Sequence, residues 1–158
     1  MTTDVNLRST SYTIAQGETS CWKCRKLTPV FALFVPAGHE YLEVGDDDDA
    51  AWELQDETAV LSFVTYLASA VAKRVAELTG HYRLDYSKTA GHSYWMNHCE
   101  ACGMKQGDFE LMCEPEGAFF PMEEAAAAQI LLLPSSEPFC AGADASYGDR
   151  LFEAMRRE

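Results

Sequence analysis

Residues 21–35 read CWKCRKLTPVFALFV, and residues 99–113 read CEACGMKQGDFELMC. Each stretch opens with two cysteines separated by two residues, so one tight turn can aim both sulfurs at a single cation. Two such turns brought together form a tetrahedral cage of thiolates, which suits Zn²⁺ with Zn–S distances of about 2.3 Å. The spacing therefore predicts one structural zinc ion with four ligands: Cys21, Cys24, Cys99 and Cys102.

Basic residues are concentrated beside the two cysteine pairs. The chain has 12 lysine and arginine residues, and four of them flank the cysteines: Lys23, Arg25, Lys26 and Lys105. Four thiolates and one Zn²⁺ carry a net negative charge, which these side chains can offset. Gly103 follows the second pair, where a turn often needs a positive φ. Arg25 occupies the equivalent position after the first pair, which is a departure from that pattern.

The stretches CWKCRKLTPVFAL and NHCEACGMKQGDFEL resemble a zinc ribbon with rubredoxin-type knuckles, and they also resemble segments of uncharacterised bacterial zinc-ribbon proteins. The resemblance covers the knuckles and the strands next to them. It implies a structural metal and a strand architecture, and it implies no activity, because zinc ribbons serve many functions. Iron in place of zinc, as in rubredoxins, stays an open alternative.

Apolar patterning predicts the elements around the knuckles. Five segments have strand character: residues 10–16, 28–35, 40–44, 92–97 and 108–113. The segment 40–44 is expected to pair with 28–35 as a hairpin, and an acidic loop follows it at 45–56. From residue 56 or 57 to Thr79, apolar residues recur at three- and four-residue steps, which predicts a long helix.

The predicted fold class is α+β. The segment 121–133 and a short stretch at 147–157 are expected to form C-terminal helices. Residues 1–158 are predicted to form a single zinc-stabilised domain, in which a zinc-ribbon-like β-sheet carries a largely helical insertion at 45–90 between the two knuckles.

The chain is strongly acidic. Aspartate and glutamate number 25 against 12 lysines and arginines, which gives a formal charge of −13. Such a surface repels phosphate backbones and anionic membranes, so neither nucleic acid nor membrane is an expected partner. The N-terminal residues contain no apolar segment typical of a secretory signal, and the longest uncharged stretch is too short and polar to cross a bilayer. We therefore expect a cytoplasmic, bacterial protein with reduced thiols.

Nine of the 25 acidic residues fall between Glu40 and Glu57, and four of them are consecutive: Asp46, Asp47, Asp48 and Asp49. This run lacks the spaced ligands of a calcium-binding loop. An acidic field of this kind favours association with a basic protein surface, or it only keeps the protein soluble. Because no catalytic motif is visible, we expect a protein that acts by binding another protein, as an inhibitor, an immunity or anti-defence protein, or an adaptor, rather than an enzyme.

Two other classes of function stay open. The first is thiol redox chemistry at Cys21 and Cys24, where neighbouring basic side chains would favour a thiolate. A thioredoxin-like pair opens a helix, however, whereas this pair is followed by a strand-like run. The second is a nucleic-acid accessory ribbon, supported by Trp22 and the basic residues at 23–26 but opposed by the overall charge.

Several other residues are assigned structural roles. Cys113 is predicted to be a core thiol in a strand, and Cys140 a buried or half-buried loop thiol. His98 is expected to lie beside the metal rather than to bind it. The sequence Gln106-Gly107-Asp108 is interpreted as a turn feeding a strand, with Asp108 as a general base the weaker alternative.

Overall fold

The computed structural model describes residues 5–44 and 49–157, and most of its regular structure is β-strand. The strands in chain order are β1 (Leu7–Ser9), β2 (Tyr12–Ser20), β3 (Leu27–Val35), β4 (Glu40–Val44), β5 (Ala50–Leu54), β6 (Ala59–Leu67), β7 (Tyr82–Ser87), β8 (His92–His98), β9 (Lys105–Gln106), β10 (Leu131–Ser135), β11 (Phe139–Ser146) and β12 (Arg156–Arg157).

The helical segments are short. They are α1 (Ser69–Leu78), α2 (Glu124–Ala127), a π-helical segment (Phe109–Cys113) and a 3-10 turn (Phe152–Ala154). None of the helices in the described part of the chain combines the length and the apolar character that crossing a membrane requires.

Nine of the strands form one hydrogen-bonded path in the order β12-β10-β2-β3-β6-β11-β1-β4-β5. The other three are joined to it through β6, which pairs with β8, and β8 in turn pairs with β7 and β9. The only parallel pair among these described strands is β10 with β12. Each cysteine pair lies in the loop of an antiparallel hairpin. The first pair is in the loop of β2–β3, and the second is in the loop of β8–β9.

Strand β3 is buried on both faces of the sheet. Alternate side chains enter one apolar cluster that includes Val71 and Val75 of α1, and the others enter a second cluster beneath the π-helical segment and α2. The first set is Phe31, Leu33 and Val35, and the second is Val30, Ala32 and Phe34. A strand covered on both faces must be apolar at nearly every position, which explains the run TPVFALFV.

Strand β6 changes its neighbour at Phe63. The pairing of β6 with β3 ends at Leu61 opposite Leu33, and Val64 then pairs with Trp95 of β8. Phe63 has a φ of 51°, which a bulky residue rarely adopts, and the register against β11 also shifts near this point. The bend directs β6 from β3 toward the hairpin that carries the second cysteine pair.

Near this bend, two polar side chains form hydrogen bonds with main-chain groups of β3 and β6. The main-chain N–H of Phe31 donates to Asn97 Oδ1 at 2.8 Å, and Asn97 Nδ2 donates to the Phe31 carbonyl at 2.9 Å. The N–H of Phe63 donates to Asp108 Oδ2 at 2.8 Å. Asn97 and Asp108 are fully buried, so they satisfy main-chain groups that water cannot reach.

The predicted α+β class is wrong, because the segment 45–90 is not a largely helical insertion. Its described part contains β5, β6 and β7 as well as α1. The predicted helix from residue 56 or 57 to Thr79 begins only at Ser69. Residues 59–67 are rich in β-branched and aromatic side chains, which favour a strand. Because β6 is apolar at most positions, it also has apolar residues at the three- and four-residue steps that are typical of a helix.

The two C-terminal helices are also largely wrong. The segment 121–133 contains only the single turn α2, and its leucines begin β10, which pairs with β2 and buries Leu132. The segment 147–157 contains the 3-10 turn and β12. The predicted strand 108–113 is the π-helical segment, in which the consecutive residues Leu111 and Met112 are both buried against the same cluster.

The other predicted strands are present. Residues 28–35, 40–44 and 92–97 correspond to β3, β4 and β8, and the segment 10–16 overlaps β2. The expected hairpin between β3 and β4 does not form, because β4 pairs with β1 and β5. Strand β5 itself lies in the segment that was predicted to be an acidic loop.

Candidate metal centre

The two cysteine pairs occupy equivalent loops. In the first hairpin Ser20 pairs with Leu27, and the loop between them is 21–26. In the second His98 pairs with Lys105, and the loop between them is 99–104. Each loop has six residues, with cysteines at its first and fourth positions.

Main-chain hydrogen bonds are the same in both loops. The N–H of Arg25 donates to the Cys21 carbonyl at 2.9 Å, and that of Gly103 donates to the Cys99 carbonyl at 2.8 Å. The N–H of each first cysteine donates across its loop at 2.9 Å, to the carbonyl of Lys26 or of Met104. This closed turn places both sulfurs of a pair on the same side of the loop.

The loops bring all four sulfurs together. The Sγ atoms of Cys21, Cys24, Cys99 and Cys102 lie within 4.8 Å of one another. The distance from Cys21 to Cys102 is 3.6 Å and that from Cys24 to Cys99 is 3.7 Å, and all four cysteines are free thiols. A tetrahedral site with Zn–S distances of about 2.3 Å has edges of about 3.8 Å. The four cysteines are therefore positioned to bind a metal ion.

Hydrogen bonds favour thiolates at two of these sulfurs. Burial of Cys21 opposes ionisation, but the N–H groups of Cys24 and Lys23 point at its sulfur from 3.5 and 3.4 Å and lower its pKa to about 6. The N–H groups of Cys102 and Ala101 lower the pKa of Cys99 against the effect of burial. Metal-binding cysteines must be thiolates, so this geometry favours metal uptake.

Cys102 holds its proton more tightly in the metal-free protein. The N–H of Met104 favours its thiolate, but burial and hydrogen bonds to Cys21 and Cys99 together raise its pKa to about 11. Cys102 therefore ionises less readily than Cys21 and Cys99. A metal cation would displace the remaining protons and bind all four sulfurs.

Gln106 is a functional residue that the sequence reasoning missed. Its buried side-chain Nε2 donates to Cys21 Sγ at 3.3 Å and to the Met104 carbonyl at 3.0 Å. The amide therefore stabilises a thiolate of the first pair while holding the loop of the second. Nothing in the motif pointed to this role, although Gln106 lies four residues after Cys102 in the strand that leaves the loop.

Two further hydrogen bonds join each loop to a strand of the other hairpin. The Glu100 N–H donates to Thr28 Oγ1 at 3.0 Å, and Trp22 Nε1 donates to the Lys105 carbonyl at 2.8 Å. Trp22 remains 53% exposed, so it joins the two hairpins at the surface.

The basic residues differ in their surroundings. Lys23, Arg25 and Lys26 are exposed beside the first loop. Lys105 is engaged elsewhere, because its Nζ donates to the Tyr86 carbonyl and lies 3.9 Å from Asp85 Oδ1. Asp85 therefore partly offsets the charge of Lys105, and the compensation of the thiolates by Lys105 stays a prediction.

His98 binds a carboxylate and is not part of the sulfur cluster. Its buried Nε2 lies 2.8 Å from Asp85 Oδ2. This hydrogen bond is the main cause of the lowered pKa of Asp85, and a second hydrogen bond, from the Tyr86 N–H, lowers it further. The His98 ring therefore contacts Asp85, and its expected place beside the metal stays a prediction.

None of the other predicted site residues that the structure describes belongs to the sulfur cluster. Asp46, Asp47 and Asp48 fall outside the described residues, and Asp49 is exposed just before β5. Cys113 is half-buried at the end of the π-helical segment rather than in a strand. Cys140 is half-buried in β11 rather than in a loop.

Comparison of the chain with models of known protein families, with curated proteins and with solved structures finds no match.

Proposed function

We propose that the protein binds one Zn²⁺ through Cys21, Cys24, Cys99 and Cys102, and that this metal is structural. The observation that carries the proposal is the group of four sulfurs with separations close to the edges of a zinc–thiolate tetrahedron. Four protein ligands leave no open position for substrate or water, which is typical of structural rather than catalytic zinc.

The position of the site in the sheet supports a structural role. One loop connects β2 and β3, the third and fourth strands of the nine-strand path, and the other connects β8 and β9, which are joined to that path by the pairing of β8 with β6. A metal shared by both loops would cross-link these hairpins. A strong chelator is therefore expected to destabilise the whole fold and not only the loops.

Metal analysis of purified protein tests this assignment. The expected result is close to one zinc per chain, lost in the Cys21→Ser/Cys99→Ser double variant. The matched control is Cys113→Ser/Cys140→Ser, which removes the two cysteines outside the cluster and should leave the zinc content unchanged. Full occupancy of the first double variant would contradict the assignment.

We further propose that the protein acts by binding another protein that presents a basic surface, in the manner of an inhibitor, an immunity or anti-defence protein, or an adaptor. Support comes from the hairpin β4–β5, where six of the ten residues are exposed and the other four are half-buried. It carries Glu40, Glu43 and Glu53, with Asp49 just before β5, and it exposes Val44 and Leu54.

The place of this hairpin also suits protein binding. Strand β5 is the last strand of the nine-strand path, so its outer edge offers main-chain groups to an incoming strand. Exposed apolar side chains give contact area, and the carboxylates around them raise the rate of association with a cationic surface.

A partner captured from the native host provides the test. The triple variant Glu43→Gln/Asp49→Asn/Glu53→Gln should bind that partner at least about tenfold more weakly, with less dependence on salt. The matched control is Glu77→Gln/Glu123→Gln/Glu153→Gln, which removes three exposed acidic residues outside the hairpin. Equal binding by both triple variants, or binding that is insensitive to salt, would refute the electrostatic part of the proposal.

Thiol redox chemistry is a second candidate because the pKa of Cys21 is lowered to about 6. Against it, Cys24 leads into β3 and not into a helix, and the same hydrogen bonds serve metal binding. Insulin reduction by the metal-free reduced protein, abolished by Cys24→Ser, would favour the redox candidate over the structural zinc.

A further inference from the structure

A cleft of about 700 Å³ lies where β6 bends and the π-helical segment begins. The residues that line it come from β6, the turn between β7 and β8, β8 itself, the segment after β9, and β11. Its volume is that of a site for a small organic ligand. The cysteines of the metal centre do not line it, so it is a separate feature of the molecule.

The cleft is acidic. Three carboxylate residues line it, Asp108, Glu110 and Asp144, together with His92. No lysine or arginine is among its described lining residues, and Lys88, on the adjacent turn, is exposed outside it. In a chain with a formal charge of −13, this surface attracts cations and repels anions.

Asp108 is the distinctive member of this group. It is fully buried, and its Oδ2 accepts a hydrogen bond from the Phe63 N–H at 2.8 Å. Its other oxygen, Oδ1, is also buried and has no hydrogen-bond partner among residues 5–44 and 49–157. A buried carboxyl oxygen without a partner is costly in free energy, and an N–H donor bound there would relieve that cost.

Aromatic rings line the same cleft. The rings of Phe63 and Tyr94 meet edge to face with their centroids 5.0 Å apart, and the centroid of the His92 ring lies 6.2 Å from that of Tyr94. Phe109 is 57% exposed. Aromatic faces beside carboxylates favour organic cations, because ring quadrupoles attract positive charge and the rings pack against the ligand's apolar body.

The carboxylates do not converge on a point, which argues against a metal ion. Within the described chain, the four cysteines are the one group of His, Cys, Asp or Glu side chains whose donor atoms come close enough to hold one. A larger cation with its own N–H donors can use carboxylates that are farther apart.

From these observations we infer that the cleft binds a small organic cation, an ammonium group on an aromatic or apolar body. The ammonium is placed at the floor, where it supplies the donor that Asp108 Oδ1 lacks. The body packs against Phe63, Tyr94 and Phe109, while Glu110 and Asp144 contribute attraction at the rim.

Two probes that share a ring and differ in charge test this inference. Titration of the zinc-loaded protein with phenethylammonium, followed by NMR chemical shifts, should move signals of residues that line the cleft. Phenylacetate, the matched anion, should leave them unmoved. Failure of phenethylammonium to bind up to about 10 mM, or equal binding of phenylacetate, would overturn the inference.

Variants then locate the binding. Asp108→Asn should weaken phenethylammonium binding by about tenfold or more, and Glu110→Gln by about two- to fivefold. Glu153→Gln removes the same charge from an exposed position outside the cleft and is the matched control. Because Glu110 is exposed, its variant tests the site even if Asp108→Asn alters the fold. Equal effects of Glu110→Gln and Glu153→Gln would contradict this placement.

Discussion

Arg25 and Gly103 adopt the same left-handed conformation at the same position of two equivalent loops, with φ of 70° and 79°. Glycine has this conformation without strain, whereas any other residue is strained there by about 1–2 kcal/mol. The first loop has Arg25 where the second has glycine, but the backbone conformation at this position is the same in both loops.

Replacing Arg25 with glycine should stabilise the protein. The relief of strain exceeds the entropy that glycine adds to the unfolded chain, and we expect a gain of about 0.5 kcal/mol in the free energy of unfolding. Gly103→Ala should cost about 1 kcal/mol or more for the opposite reason. Urea denaturation with saturating zinc measures both. Arg25→Gln removes the charge but keeps the strain, so it should give no gain, and a gain equal to that of glycine would show that charge is responsible.

Gln106→Leu should weaken zinc binding by about ten- to a hundredfold, because the thiolate of Cys21 loses its side-chain donor. Competition with a chromophoric chelator measures this affinity. Gln129→Leu, at an exposed position far from the sulfurs in sequence, serves as the control. Unchanged affinity in the Gln106 variant would mean that the hydrogen bond at 3.3 Å does not stabilise the bound thiolate.

Asn97→Leu should lower the free energy of unfolding by about 3 kcal/mol, because the N–H and carbonyl of Phe31 lose their buried partner. Denaturation of the zinc-loaded protein measures the loss. Ser93→Ala, an exposed position on the same strand, should change stability by less than about 0.5 kcal/mol. Similar stability of the two variants would show that β3 does not depend on the Asn97 amide.

Asp108 should make stability depend on pH. Burial raises its pKa to about 7, against the hydrogen bond from the Phe63 N–H, while an unfolded aspartate titrates near 3.8. The folded protein therefore holds a proton that the unfolded chain has lost between these values. The stabilisation from Asp108 is complete below about pH 4 and is lost as the pH rises through about 7.

The variant Asp108→Asn isolates this effect, since its side chain stays neutral. Relative to the wild type, its free energy of unfolding should increase with pH between about 4 and 7, by up to about 4 kcal/mol. Denaturation of zinc-loaded protein across this range provides the measurement. A difference that stays flat across this range would contradict the raised pKa of Asp108.

The sequence was informative where one residue type has one physical meaning. The spacing of Cys21, Cys24, Cys99 and Cys102 predicted a shared cluster, and the described structure brings the four sulfurs together. The run at 28–35 predicted a buried strand, because uninterrupted apolar residues followed by Pro36-Ala37-Gly38 fit few alternatives.

The sequence misled where a pattern has two meanings. Residues 59–67 are apolar on both faces of β6. The three- and four-residue steps through Val60, Val64 and Leu67 are therefore present in the sequence, although the segment is a strand and not a helix. The partnerships of Gln106 with Cys21 and of Asp108 with Phe63 could not be predicted, because they depend on where β6 bends. That bend is a property of the assembled sheet rather than of a local motif.

Zinc-edge X-ray absorption on the purified protein tests the central claim most directly. Binding by the four cysteines predicts about one zinc per chain, surrounded by four sulfur atoms at about 2.3 Å. A first shell that contains nitrogen or oxygen, fewer than four sulfurs, or protein that holds no zinc after reconstitution under reducing conditions would contradict the account.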